Sequence, residues 1–312
     1  MIIVTGAAGF IGKHLTRYLL MHTGDVIVGV DNLRRGDWNG LTPNERLVTI
    51  TGDIRDSERL DRLFTDVRLV FHLAGQAQVM DSVWDQDYTF SSNVAGTYNV
   101  LRASQRAGVG HVVFTSSREV YGEPSRVPVP EESPLIAKNP YGASKIASEA
   151  YCRLFDSENG MRVSVARLTN VYGPGDQGRV IPAFIKQALQ GLPLVLYGGQ
   201  QVIDFVPVRV VVEALWRLAL EPFSAPINVG SGIGVTLQDV AARIIQKAGS
   251  DSEIEIAPAR PEEVVRFVAD VSRMRGSLQV EVPEDPLVDL PARVAVEEAE
   301  VVRPISIGFQ AR

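Results

Sequence analysis

The order of apolar runs and glycines predicts an α/β protein: a doubly wound parallel sheet followed by a smaller C-terminal α/β lobe. Three observations predict it. Short, uncharged, β-branched runs recur, as strands buried on both faces require. Helical spacing alternates with them, at connection lengths that suit parallel crossovers. A glycine cluster, Gly6-Ala-Ala-Gly9-Phe10-Ile11-Gly12, stands between the first strand and the first helix. At 312 residues the chain is ample for one large domain or two moderate ones.

Residues 1–5 form the first run. The helix after the glycines turns Ile11, Leu15, Tyr18 and Leu19 inward. A second run, residues 26–30, ends in Asp31, 19 residues after Gly12. This is a dinucleotide-binding layout. Glycines let the backbone approach a pyrophosphate, the helix N-terminus faces its charge, and the acid meets ribose hydroxyls. Asp31 also repels a 2′-phosphate, which favours NAD, although Arg34 and Arg35 follow closely and leave NADP open. Residues 47–50 are the third strand, with Gly52-Asp53-Ile54 at its end. Two roles are open to Asp53: meeting an adenine amino group while Ile54 packs the ring, or N-capping a helix over residues 57–64. Residues 69–73 are the fourth strand, ending in His72-Leu73-Ala74-Gly75. Residues 85–107 have helical spacing. A buried Asn93 there needs partners and is expected to brace the strand carrying Ser117.

That strand covers residues 111–114, with Ser117 at its end. After a Pro-rich loop, Tyr141-Gly-Ala-Ser-Lys145 opens a helix that continues past Phe155. A tyrosine and a lysine four apart share one helix face. Free tyrosine, with a pKa near ~10, is a poor base at neutral pH. A nearby ammonium favours the phenolate, and Ser117 is placed to hydrogen-bond the same substrate oxygen. Together these groups can move a proton on and off a sugar or alcohol hydroxyl, provided a hydride acceptor lies alongside. Further strands are expected at 162–167 and 193–197, and helices at 180–190, 208–220 and 236–248. Thr236 is the N-cap of the last helix, with Asp239 near the dipole's positive end. Residues 170–176 read as loop, and the final forty residues carry little pattern.

Composition narrows the classes. Hydrophobic residues are 45% and charged residues 22%, the range of an ordered soluble protein. A net charge of −6 without a Lys/Arg cluster argues against nucleic-acid or membrane surfaces. One cysteine, Cys152, excludes an internal disulfide and suits a reducing cytoplasm. No apolar run reaches membrane-spanning length, and the first residues read as a strand rather than a leader. His14, His22, His72 and His111 are scattered without ligand spacing, so no metal is expected.

With these motifs in one chain, residues 1–280 resemble the extended short-chain dehydrogenase/reductases. More narrowly, they resemble the NAD-dependent epimerase/dehydratase family that acts on nucleotide sugars, in particular its UDP-glucose/UDP-galactose 4-epimerase-like members. The resemblance implies a Rossmann domain over residues 1–168, to which 201–228 return, and a lobe, mainly 169–312, that grips a nucleoside diphosphate. It also implies a tightly held NAD and a homodimer built from two helices per subunit, here 85–107 and 141–158. Gly6, Gly9, Phe10, Ile11, Gly12, Asp31, Asn32, Asp53, Ile54, Leu73, Ala74, Gly75, Asn93, Tyr141 and Lys145 are assigned to the cofactor. Ser117, Asn170, Val180, Tyr197 and Arg260 are assigned to the substrate, and Ser117, Tyr141 and Lys145 to catalysis. Asn170 lies in Arg167-Leu-Thr-Asn-Val-Tyr-Gly-Pro, Val180 and Tyr197 in segments that clasp base and ribose, and Arg260 in a diphosphate-binding segment.

Some positions depart from the family pattern. Ile203 and Val210 replace a usual phosphate-binding Arg and a usual Asp, and Pro207 stands where Tyr or His is common. The nucleotide grip is thus weakened, shifted to a residue such as Arg209, or aimed at another group. Gly75, where many relatives carry Ala, is expected to enlarge the nicotinamide pocket. Dehydratases carry Thr-Asp-Glu before Val-Tyr-Gly and UDP-glucuronate decarboxylases carry Thr/Ser-Ser-Glu. Here the segment is Ser117-Arg118-Glu119, which disfavours dehydration. Glu119 is either a supporting or a catalytic carboxylate.

The expected reaction is C4 epimerisation of a UDP-sugar through a transient 4-keto sugar, with Tyr141 as base, Lys145 lowering its pKa and bonding the nicotinamide ribose, and Ser117 bonding the reacting oxygen. Two alternatives stand. One is a decarboxylase, dehydratase or reductase of the same family. The other is an NAD-binding sensor or partner protein with a degenerate substrate lobe, which Ile203 favours and the intact Ser/Tyr/Lys set opposes.

Overall fold

The structure is a computed structural model that describes residues 1–156 and 160–291. β1 (Ile2–Thr5) lies inside the large sheet, and Ile2, Ile3 and Val4 are completely buried because helices cover both faces. The chain continues through α1 (Phe10–His22), β2 (Ile27–Asp31), β3 (Leu47–Thr51), α2 (Ser57–Leu63) and β4 (Leu69–His72). Next come α3 (Val79–Trp84), α4 (Gln86–Thr89), a π-helical segment (Phe90–Ala95), α5 (Gly96–Arg106), β5 (His111–Ser117), α6 (Pro140–Phe155) and β6 (Arg162–Leu168). The large sheet has seven strands in the order β10-β6-β5-β4-β1-β2-β3, where β10 is Ile227–Val229, and every pairing is parallel. Sequence order reverses between β1 and β4, so the crevice at the carboxyl ends of the strands is where a ligand fits.

β1 divides the core by its alternation. Ile2 and Val4 pack with Leu15 and Leu19 of α1 and with α8 (Val208–Leu220). Ile3 packs with Leu60, Val100, Leu101 and Phe114 on the other face. A third cluster holds the small lobe together, uniting α7 (Val180–Leu189), β8 (Leu194–Tyr197), β9 (Val202–Pro207) and α9 (Leu237–Ala248). β9 pairs with β7 (Asn170–Tyr172), β11 (Gly234–Thr236) and β13 (Arg266–Phe267), while β12 (Ile254–Ala257) pairs with β8. After β9 the chain rejoins the large sheet through α8 and β10, and Met274 and Leu278 of α10 (Ser272–Leu278) join the same core cluster.

Several local expectations change. Asp56, not Asp53, caps α2, accepting the Arg59 amide. Residues 85–107 are not one regular helix: Asp85 caps α4, and the π-helical segment interrupts the run at Asn93. Residues 170–172 form β7 rather than loop, because the turn residues begin only at Gly173. α6 ends at Phe155, and the end expected at 158 lies outside the described residues. Thr236 caps α9 by accepting the Asp239 amide, as its sequence implies. Within the weakly patterned tail, α10 forms before residue 279, and residues 292–312 lie outside the described residues.

His72 is fully buried between the hydroxyls of Thr5 (2.7 Å) and Thr97 (3.0 Å), tying β1, β4 and α5 together beneath the glycine loop. Burial pushes its pKa down to about 3, so the imidazole is neutral. Among the described residues no cluster of His, Cys, Asp and Glu is arranged to hold a metal, and no helix is long and apolar enough to cross a membrane.

Candidate functional site

One cleft of about 1190 Å³ runs from the glycine loop past the end of β5 into the small lobe. Its cofactor end begins at Gly6, whose φ of +75° suits glycine. A side chain there would meet the Ala74 backbone at 2.7 Å, so the loop lies hard against the end of β4. No side chain caps the N-terminus of α1 at Gly9. Its first amide groups are therefore available to an anion, as a pyrophosphate requires. Asp31 ends β2 with one carboxylate oxygen 3.0 Å from the Ala8 amide and the other 2.8 Å from the Leu33 amide. Burial raises its pKa against the pull of those bonds. Arg34 pairs with Asp85 (3.1 Å) and stacks on Tyr88, and Arg35 pairs with Asp81 (2.7 Å). Both guanidinium groups thus already meet a carboxylate of this chain, in exposed pairs at the edge of the cleft.

Ser117, Tyr141 and Lys145 meet on the wall between the two ends of the cleft. β5 delivers Ser117, whose hydroxyl accepts the Glu119 amide at 3.2 Å and caps a short 3-10 turn, Arg118–Tyr121. α6 delivers the other two. Asn139 caps it by accepting the Gly142 amide at 2.8 Å, and Pro140 sits in its first turn. Burial pushes the Tyr141 phenol up to about 12, against the pull of its hydrogen bond with Ser117 and of the positive Arg179 and Arg118. Burial likewise brings Lys145 down to about 8. Its ammonium donates to the Thr115 carbonyl at 2.9 Å and stands 5.9 Å from the centre of the Tyr141 ring. The direct ammonium–phenol coupling expected from the spacing is therefore not the dominant influence on Tyr141.

Residues 2–230 match the NAD dependent epimerase/dehydratase family. The chain belongs to that family. A putative UDP-glucose 4-epimerase of Methanocaldococcus jannaschii is 35% identical over 280 residues, covering 88% of this chain and 90% of that protein. The UDP-glucose 4-epimerase of Thermotoga maritima, solved with UDP-glucose, superposes with a TM-score of 0.86 at 31% identity, over 90% of this chain and 93% of that one. MoeE5, solved with UDP-glucuronic acid and NAD, gives 0.86 at 30% identity over 94% and 97%.

Within this family member, the residues expected at the site are mostly brought together. Gly6, Gly9, Phe10, Ile11, Gly12, Asp31, Asn32, Ile54, Leu73, Ala74 and Gly75 line one end, and Asn170, Val180, Tyr197 and Arg260 line the other. Asp53 and Asn93 do not line the cleft. Asp53 binds the Arg55 guanidinium (2.7 Å) and Asn32 (3.0 Å). Asn93 braces the segment after β4 and the helix α6 rather than β5. Its carboxamide bonds both backbone groups of Gln76 and the Ser144 hydroxyl, and its carbonyl, in the π-helical segment, accepts Ser148.

Gly75 does not enlarge the pocket either, because a methyl there would lie 2.8 Å from the Asn93 carboxamide oxygen. Arg209 does not replace the missing phosphate ligand. It is exposed and paired with Asp289, away from the cleft, while Val210 packs in the core and Ile203, largely buried, presents an apolar side chain to the cleft. Arg260 lies 3.5 Å over the Tyr197 ring and pairs with Glu263.

Arg118, Arg179 and Asp176 also line the cleft and were not assigned from sequence. The position of Arg118, directly after Ser117, was the signal for the first. Nothing local marks the other two. Gly75→Ala is expected to lower the unfolding free energy by about 1–3 kcal/mol through the clash with Asn93. An unchanged denaturant midpoint in the NAD-loaded protein would show that the carboxamide yields without cost.

Proposed function

We propose that the chain interconverts the C4 epimers of a UDP-sugar through a transient 4-keto sugar, with NAD bound throughout. The observation that carries this reading is the continuity of the cleft. The Ser117/Tyr141/Lys145 wall stands between a dinucleotide-type glycine loop and a lobe end holding Asn170, Val180, Tyr197 and Arg260. The relatives described above, one named as a UDP-glucose 4-epimerase and solved with UDP-glucose, support it. NAD, when bound, supplies the hydride acceptor and donor. The chain's own residues manage the proton and the geometry. Ser117 and Tyr141 bracket the C4 oxygen from two elements. Tyr141 takes its proton and returns it, drawing on the positive Arg118 and Arg179 to offset the burial that opposes a phenolate. Lys145, fixed on the Thr115 carbonyl, is placed to hold the nicotinamide ribose beside them.

Glu119 weighs against dehydration and decarboxylation. Its carboxylate is buried and spent on Arg118 (2.9 Å) and Asn139 (2.8 Å), so it is not a free acid or base. Removing the phenolic hydroxyl by Tyr141→Phe should cost at least about 100-fold in turnover, the usual scale for a general acid–base group, with NAD still retained. Turnover within a few-fold of wild type would rule the mechanism out.

The same reading gives a homodimer through α5 and α6. Leu154 of α6 is 62% exposed, Phe90 at the start of the π-helical segment before α5 is 64% exposed, and the Tyr98 and Tyr151 rings meet at a tilt with 5.5 Å between their centres. A reducing compartment such as the cytoplasm suits the single buried thiol, Cys152. The double variant Phe90→Glu/Leu154→Glu should sediment as a monomer where the wild type sediments as a dimer. Identical masses for the two would remove this interface.

A further inference from the structure

Arg118 is held as if for a partner the chain itself does not provide. Its Nε donates to the Asn170 carboxamide oxygen at 2.8 Å, and one terminal nitrogen, Nη2, pairs with Glu119 at 2.9 Å. Phe267 lies beneath the guanidinium, 5.6 Å from its ring centre. The other terminal nitrogen, Nη1, is buried and has no hydrogen-bond partner. The side chain keeps only 11% of its surface exposed, yet it lines the cleft. A buried, unpaired N–H of a charged group is costly, and such groups in native proteins call for an explanation.

Position supplies one. Arg118 follows Ser117 in the chain and is bonded to Asn170, so its guanidinium lies between the reacting wall and the lobe end of the cleft. With C4 of the sugar at Ser117 and Tyr141, the substituents within reach are the C3 hydroxyl and the one at C6, each two bonds from C4, and of the two only C6 can carry an anionic group. A hydroxymethyl group meets one N–H. A carboxylate oxygen instead makes a charge-assisted bond to the unpaired Nη1, roughly twice as strong as a neutral one.

We propose that Arg118 is the seat of a sugar carboxylate, so that the preferred substrate is a UDP-hexuronate. This rests on the reading that C4 of a UDP-sugar sits at Ser117 and Tyr141. Glu119 and Asn170 then act as positioning residues that fix the guanidinium before substrate arrives.

Calorimetric titration of the NAD-loaded protein with UDP-glucuronate and with UDP-glucose tests this without relying on turnover. Wild type should bind the uronate at least ten-fold more tightly. Arg118→Met should bring that ratio to near one, and Arg118→Lys, which keeps the charge but loses the bonds to Asn170 and Glu119 that fix the donor, should leave it in between. Equal or tighter binding of UDP-glucose by wild type overturns the proposal. So does an Arg118→Met variant that weakens both ligands by the same factor, since that marks a structural or diphosphate role. If Arg118→Met does not fold, the wild-type ratio and the lysine variant decide. Product analysis on the same samples separates the two readings. Carbon dioxide release, or no turnover, with the ratio intact removes the epimerase and keeps the carboxylate seat. A C4 epimer formed from UDP-glucose with a ratio of one does the reverse.

Discussion

The reacting wall depends on a buried ion pair that touches no part of it directly. Arg167 on β6 holds Glu149 on α6 through two nitrogens, at 2.9 and 2.6 Å, and both side chains are almost wholly buried. Its remaining nitrogen donates to the Tyr121 hydroxyl and to the Glu131 carbonyl. Ser116, beside Ser117, donates to the same Glu149 carboxylate at 2.5 Å, and Tyr121 passes the network on to Asn228 of β10. One guanidinium thus fixes the end of β5 against α6, and with it Ser117 against Tyr141 and Lys145. Such a pair is weak support for stability, but losing one partner strands a buried charge at about 3–5 kcal/mol. Its contribution here is register between two elements that bring Ser117 and the Tyr141/Lys145 pair together from opposite sides.

The same economy governs the cleft's electrostatics. Arg34, Arg35, Arg118, Arg179 and Arg260 each meet a carboxylate of this chain. A ligand rich in phosphate is therefore met by backbone amides at α1 and by guanidinium groups whose charge is already partly balanced. This arrangement favours geometric recognition over simple attraction. Ile203 fits the pattern, since an apolar side chain in the lobe core takes the place of another cation.

Much of this was legible in the sequence because the sheet is built from local signals. Apolar strand runs, the glycine cluster and the acid that ends β2 are short-range patterns, and each lands where its spacing places it. Ser117, Tyr141 and Lys145 were readable for the same reason. What failed were long-range partners. Asn93 looked like a brace for β5, but its partners, Gln76 and Ser144, are set by the π-helical segment, which has no sequence signature. Gly75 read as open space because the carboxamide that fills it comes from another helix. The Tyr141–Lys145 spacing was right, yet the strand end at Thr115 competes for the ammonium and burial outweighs it at the phenol. β7 was hidden by its length, three residues ahead of a glycine-rich turn.

The central claim is that hydrogen leaves C4 and returns to it inside one cleft, with no net oxidation. The most direct measurement uses a UDP-sugar carrying deuterium at C4, incubated with the purified protein and no added cofactor, with the product read by NMR. A C4 epimer that keeps its deuterium is the expected result. Loss of the label to water, or no epimer from UDP-glucose, UDP-N-acetylglucosamine or UDP-glucuronate, would contradict it.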